Sequence, residues 1–479
     1  MKRLTAGAFG ILLVGVIVFS AGAVPPLTAT SLPGIEDQES NPEDFKIQVD
    51  VSLVMTDVTV IGKASSALDA EDFIVFEDGV AQPASFFSLD QIPLAVGLLI
   101  DASESIRPYL PVLQISGISA LRRLKPEDQV VLYSFNLNPK RLSDLTEDRV
   151  QIAEEISKIE VAYGTNIYDS IVNAAEYLHK NAPNYRRAII LISDNYRVGG
   201  KHNANRALYE LLETSTTLIN IRTQSIAVFY DNEWAKSEQE VFKMVEETGG
   251  EVFRVNAPTS LQRALDQAVV NLRKQYTLGF NPSNPGKAGS FHKLTVKLAS
   301  EENCPGCRIR SRSGYYSGVT APAPPSRNAR KPAVHSPEKT DQLLIQRSIL
   351  AAGTVDVDLP DIPFQVWTTQ QLGSDGQPEL KIDLNIPFAR VGSRIEESKH
   401  LCRLRVAVFY ANDKGKILGS DWRTIEGRLS NESLVKAIQT GIPFSTSIPI
   451  KTEKQMVKVV VYDEETDRVG SKTIRLSPQ

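Results

Sequence analysis

Leu94-Ala95-Val96-Gly97-Leu98-Leu99-Ile100-Asp101-Ala102-Ser103-Glu104-Ser105 reads as a strand that runs straight into a ligand loop. From Leu94 to Ile100 no position is polar, so the strand has no face to turn to water. A strand buried on both sides belongs to a parallel sheet covered by helices. Asp101, Ser103 and Ser105 then place three oxygen side chains on one tight loop at its carboxyl end. In open α/β sheets that edge is where ligands bind.

Outward from this run the same style continues through 92–275. Apolar strands are expected at Val130 to Phe135, Ala188 to Ile192 and Ser225 to Phe229, with a short strand near Glu251 to Val255. Helical patterns fall between them, at about 108–124, 147–160, 167–181, 204–217, 236–248 and 259–274. Alternating strand and helix predicts a doubly wound, mostly parallel α/β sheet. Two further segments should reach the same carboxyl edge: Gly164-Thr165 before a helix, and Ser193-Asp194-Asn195 after the Ala188 strand. Asp101, Ser103, Ser105, Thr165 and Asp194 are all hard oxygen donors, a set that suits Mg²⁺. The bland alternative is that the Ser and Asp residues merely cap the following helix.

The flanks differ in kind. Residues 24–44 read as a flexible leader. Phe45, Ile47, Val49, Val51, Leu53 and Met55 alternate as in a half-buried strand, and Asp78-Gly79 signals a hairpin, so 45–91 is expected to be a small β unit. Strands at 276–317 look appended to the α/β domain. Residues 318–359 are rich in Pro and read as a linker. From 360 to 479 strands return at Leu380 to Ile386, Leu404 to Tyr410, Phe444 to Ile450, Met456 to Tyr462 and Lys472 to Leu476, which predicts an immunoglobulin-like β-sandwich with Pro449 on an edge.

The first 23 residues have the form of a secretory signal peptide: basic Lys2-Arg3, an apolar run from Ala6 to Ser20, and small residues at Ala21-Gly22-Ala23. The expectation is a secreted or periplasmic protein with no transmembrane span after cleavage. Of 479 residues, 53 are Lys or Arg and 57 Asp or Glu, a net charge of −4. That offers no basic field for phosphates and argues against nucleic acid as a partner. None of His179, His202, His292, His335 and His400 has a zinc-binding neighbour or a hydrolase serine, so each reads as a surface or linker residue. No P-loop or Gly-x-Gly-x-x-Gly is present. Cys304-Pro305-Gly306-Cys307 reads as a loop-closing disulfide, with free thiols or a redox or metal role as alternatives, and Cys402 as a buried free thiol.

At the Asp101 loop, Thr165 and Ser193-Asp194-Asn195, the chain resembles the von Willebrand factor type A (VWA) domain with its metal-ion-dependent adhesion site. Asp72-Phe73-Ile74-Val75-Phe76-Glu77-Asp78-Gly79, Tyr276-Thr277-Leu278-Gly279-Phe280 and Arg312-Ser313-Gly314-Tyr315-Tyr316 add a resemblance to bacterial, notably acidobacterial, VWFA-related proteins. The resemblance implies a Rossmann-like topology, Asp101, Ser103 and Ser105 as loop ligands, Thr165 as the second-loop ligand, and Asp194 acting directly or through water. The family usually shows Thr-Asp-Gly at the last segment; here Ser193 keeps the hydroxyl, and Asn195 tolerates the left-handed conformation that glycine allows. Asp128 resembles a common family acid but reads as a solvated turn residue.

The expectation is therefore a non-enzymatic extracytoplasmic adhesion or assembly protein. Its site would use Mg²⁺ or Mn²⁺ to engage an Asp or Glu carboxylate of a protein partner. The alternative is a structural envelope protein whose α/β domain is a scaffold without bound metal. A hydrolase using Ser103 or Ser105 would lack a matched base.

Overall fold

The computed structural model describes residues 53–62, 67–224, 232–283, 286–302, 304–318, 335–451 and 455–476. The expected signal peptide, the leader, most of the alternating run from Phe45, the strand at Ser225 to Phe229 and the proline-dense part of the linker lie outside them.

Four strands come first: β1 (Val54–Ile61), β2 (Phe73–Glu77), β3 (Val80–Gln82) and β4 (Ala84–Leu89). The central domain follows, with strands β5 (Leu94–Asp101), β6 (Gln129–Phe135), β7 (Pro139–Arg141), β8 (Arg186–Ser193), β9 (Thr216–Thr223) and β10 (Val252–Val255). Its helices are α1 (Leu110–Ala120), α2 (Arg149–Ile156), α3 (Ile167–Asn181), α4 (Ala204–Glu213), α5 (Asn232–Glu247) and α6 (Leu261–Arg273). The sheet order is β10-β9-β8-β5-β6-β7, parallel except for the short edge strand β7. Every residue of β5 and β8 is buried, as their unbroken apolar runs require. Even-numbered residues of β5, Leu94 to Ile100, pack with α1, α2 and α6. Ala95 and Leu99 face α3, α4 and α5. The doubly wound α/β expectation is met.

One strand begins inside a stretch expected to be helical. The expected helix at 204–217 stops at Glu213, and β9 begins at Thr216. Thr216, Thr217 and Asn220 interrupt the apolar run, so the strand does not look buried, yet all three are.

After the central domain come β11 (Tyr276–Phe280), β12 (Phe291–Leu298), β13 (Arg308–Ser311) and β14 (Gly314–Tyr316). These are not appendages, and the first four strands are not a unit of their own. The sheets are β13-β1-β11-β4 and β14-β12-β2-β3, each mixing both groups. They share one core, with Val58, Phe73 and Val75 against Leu278, Phe280 and Leu294. The α/β domain is thus inserted between β4 and β11 of a single sandwich. β1 and β4 each pair with β11 and β2 pairs with β12, so the first four strands do not form a sheet of their own. The alternation in β1 also runs opposite to expectation, since Val54, Thr56 and Val58 are buried. Asp57 on the other face pairs with Arg186 at the start of β8, 3.0 Å away.

The expected linker also holds structure. Helix α7 (Pro337–Thr354) packs between α1 and α2 on one side and the C-terminal sheet on the other. Its Leu344, Ile345, Ile349 and Ala352 share a core with Ile115 and Ile118 of α1 and with Phe409, Val460 and Tyr462. Ser336 caps it by accepting from Lys339 N at 3.3 Å, and Pro337 sits in its first turn. That pairing of a serine cap and a first-turn proline is a helix start signal, masked here by the surrounding prolines. Arg122, beyond α1, pairs with Asp341 of α7 at 2.5 Å and with buried Asp467.

The C-terminal strands are β15 (Gln365–Leu372), β16 (Pro378–Ile386), β17 (Arg394–Glu396), β18 (Lys399–Asn412), β19 (Ile417–Leu429), β20 (Ile442–Pro449), β21 (Gln455–Asp463) and β22 (Val469–Arg475), with α8 (Asn431–Thr440) before β20. Sheets β15-β16-β20 and β17-β18-β21-β22, with β19 beside β18, enclose a core that includes Ile382, Leu384, Val406 and Val459. Pro449 ends an edge strand, as expected. β15, β19 and α8 were not foreseen.

Candidate functional site

The strand order reverses between β5 and β8, which places the loops after those two strands side by side. Asp101 ends β5 and is fully buried. Its Oδ1 accepts from Ser103 N at 2.9 Å, turning the loop back on itself. Its Oδ2 accepts from Ser193 Oγ at the end of β8, 2.6 Å away. Ser103 Oγ and Ser105 Oγ lie 3.0 Å apart, the first buried and the second half-buried.

Thr165 is buried in the loop before α3. Backbone bonds stitch that loop to both neighbours. Ala162 N donates to Ala102 O at 2.7 Å, and Val198 N donates to Thr165 O at 2.8 Å. Gly164 has φ +91°, and a Cβ there would lie 2.3 Å from Leu137 Cγ, so only glycine fits this turn. Asp194 is fully buried; its Oδ1 accepts from Tyr196 N at 3.0 Å, while its Oδ2 has no hydrogen-bond partner among the described residues. The structure therefore brings the Asp101 loop, the Thr165 loop and the Asp194 loop to one edge.

Burial, reinforced by the neighbouring Asp194 charge, pushes the Asp101 carboxyl up to about 7, against the lowering effect of its bonds from Ser193 and Ser103. Two buried carboxylates with an unpaired oxygen and adjacent hydroxyls fit a hard divalent cation, whose charge would offset their repulsion. Among the described residues no group of three or more His, Cys, Asp or Glu is placed to hold a metal. This set instead combines two carboxylates with hydroxyls.

Residues 96–197 match the family model for the von Willebrand factor type A domain. This segment is a VWA domain. No curated protein matches the chain. Solved structures similar to it include BatB, a conserved hypothetical protein from Bacteroides thetaiotaomicron (18% identity, TM-score 0.32, 38% of this chain and 99% of that one). The vWF domain of the type V pili tip protein Mfa5 from Porphyromonas gingivalis is similar at 15% identity and TM-score 0.32, over 38% of this chain and 95% of that one. Proximal thread matrix protein 1 from the mussel byssus, described with a zinc-occupied MIDAS motif, is similar at 14% identity and TM-score 0.32, over 38% and 48% of the two chains.

All five expected ligands fall within the matched segment of the VWA domain. Asn195 has φ +61°, the left-handed conformation expected of it. Its side chain has a further role that the sequence did not suggest. Asn195 Nδ2 donates to Asn220 Oδ1 at 2.9 Å, and Asn220 Nδ2 donates back at 3.2 Å. Asn220 in turn reaches Leu191 O of β8 at 3.3 Å. The only signal for it was one amide inside Leu218-Ile219-Asn220-Ile221. Asp169 was also missed: it accepts from Lys201 N and His202 N at 2.9 and 2.7 Å and so fastens the segment after β8 to α3.

Two readings are corrected. Asp128 is not a solvated turn residue. It is fully buried at the opposite edge of the VWA sheet, accepts from Leu94 N at 2.9 Å and Lys125 N at 2.7 Å, and pairs with Arg273. His292 is not a surface residue either; it is buried on β12, 2.8 Å from Asp78 Oδ2. Cys304 and Cys307 are disulfide-bonded, and Cys402 is a buried free thiol.

Proposed function

We propose that the VWA domain binds a protein partner through a divalent cation, Mg²⁺ or Mn²⁺, held by Asp101, Ser103, Ser105 and Thr165, with Asp194 acting directly or through water. The observation that carries this reading is the buried Oδ2 of Asp194, without a hydrogen-bond partner among the described residues, beside the buried Asp101 carboxylate. A buried charged oxygen without a partner is costly unless something else satisfies it. When bound, the ion would supply an electrophilic centre that favours an anionic oxygen, so the partner donates an Asp or Glu carboxylate. The chain's own residues shape the approach: Ser105 is half-buried at the rim, and Tyr163 beside Gly164 is 71% exposed.

The reading is one of binding, not catalysis. Ser103 Oγ is engaged with Ser105 Oγ and not with a histidine. The place of action is outside the cytoplasm, secreted or periplasmic, on the strength of the signal-like first 23 residues. Among the described residues no helix is long and apolar enough to cross a membrane.

The alternative, a structural envelope protein with a metal-free scaffold, draws on one observation. Both Asp101 oxygens already accept protein hydrogen bonds, so the loop can hold its form without an ion. Calorimetric titration of the chain from residue 24 with Mg²⁺ and Mn²⁺, repeated after Thr165→Ala, separates the two. Saturable binding that Thr165→Ala weakens supports the first; no binding by the wild type supports the scaffold. A pull-down from envelope extract should then recover a partner only without chelator, and changing the partner's contacting acid to its amide should lower affinity several-fold.

A further inference from the structure

We propose that β15 is a self-association strand, pairing antiparallel with β15 of a second copy to join two three-stranded sheets into one of six strands. Among the described residues β15 pairs only with β16, along one side, and so forms an edge of its sheet. Seven of its eight residues are exposed, and the eighth, Val366, is half-buried. Trp367 is 53% and Leu372 74% exposed.

Edge strands invite pairing unless charge, proline or irregularity blocks it. The other described edge strands of seven or more residues carry such blocks. β20 has Pro443 and Pro449, β22 has Lys472 and Arg475, and β19 has Asp421, Arg423, Glu426 and Arg428. β15, Gln-Val-Trp-Thr-Thr-Gln-Gln-Leu, has no charge, no proline and no glycine, and its Val, Trp and Thr favour extended backbone.

A second copy suits this edge because the strand is complementary to itself. A two-fold axis through Thr369 keeps each strand face in register, so that residue numbers across the seam sum to a constant. Leu372 then lies opposite Val366 of the other copy, Trp367 opposite Gln371, and Thr368 opposite Gln370. The axis repeats each of these pairs, so the most exposed leucine meets an apolar residue twice, and no like charges meet anywhere along the seam. Seven paired residues at ~3.4 Å each make a seam of about 24 Å. With about 10 Å of side-chain depth across the sheet, such a seam covers roughly 240 Å² per copy, below the roughly 1,000 Å² total of a stable interface, so the dimer should be weak and reversible.

Sedimentation of the chain from residue 24 over a concentration series, with amide hydrogen exchange at each concentration, tests this. The expected result is a monomer–dimer equilibrium in which exchange across 365–372 slows as dimer forms. Thr369→Lys, which sets a lysine opposite its own copy at an exposed position, should weaken the dimer by several-fold or more with an unchanged thermal melt. Leu372→Lys gives the same readout should Thr369→Lys fold poorly. A wild-type chain that stays monomeric overturns the proposal. So does a dimer that forms without slowing exchange at 365–372, or one that both variants leave unchanged.

Discussion

Ser193 at the end of β8 donates to Asp101 at the end of β5 across 2.6 Å, tying together two of the three loops proposed to hold a cation, at the point where the strand order reverses. The bond makes Asp101 part of the folded interior, not a free loop carboxylate. It also sets what each substitution near the site should do.

Asp101→Asn keeps the shape of the side chain and removes a buried charge that Asp194 repels. The metal-free protein should melt no lower than wild type, while the rise in melting temperature caused by Mg²⁺ or Mn²⁺ disappears. Differential scanning fluorimetry with and without the ions reads both effects. A variant that still gains stability from metal would remove Asp101 from the ligand set.

Asn195 combines a left-handed backbone with a buried amide pair to Asn220. Asn195→Gly retains the conformation and strands one buried amide, at roughly 1–3 kcal/mol. Asn195→Ala adds backbone strain of about 1 kcal/mol or more. Urea denaturation should therefore rank wild type above Asn195→Gly and Asn195→Gly above Asn195→Ala. The reverse order of the two variants would mean that the backbone conformation is not what Asn195 supplies.

Burial on α4 raises the Glu210 carboxyl to about 7 despite its pairing with Arg206. Between the ordinary value near 4.5 and about 7, the folded chain holds a proton that the unfolded chain has released. Stability from this group is therefore greatest at low pH and is lost as pH rises through that window. Glu210→Gln should gain on wild type as pH climbs from 4.5 to 8, measured by urea midpoints. A difference between the two that does not vary with pH would contradict the raised carboxyl.

Arg122 and Arg123 pair with Asp467, and α7 fills the space between α1 and the C-terminal sheet. A protease site inserted between residues 324 and 328 should yield two fragments that co-elute in size exclusion, since the apolar contact across α7 does not depend on the connection. Asp467→Ala leaves Arg122 partly paired through Asp341 and should shift the complex toward separate fragments at high dilution. Fragments that separate at once would mean that the two parts hold together only through the chain.

The VWA sheet, and which loops lie at its carboxyl edge, were legible in the chain. β5 and β8 are buried on both faces, so each reads as one apolar run, and Asp101, Ser103, Ser105 and Ser193-Asp194-Asn195 follow those runs directly. These are local facts, carried within a dozen residues of chain. The features that stayed hidden involve partners far apart in sequence. β1 pairs with β11 across more than 200 residues, so no reading of either segment alone could show that the two make one sandwich. Asp128 looked like a turn residue until Leu94 and Arg273 closed over it. Asn220 looked like an interruption until Asn195 supplied its hydrogen bonds. In each case a polar group or a half-apolar strand is stable inside only because a distant segment completes it, and that completion leaves no local pattern in the chain.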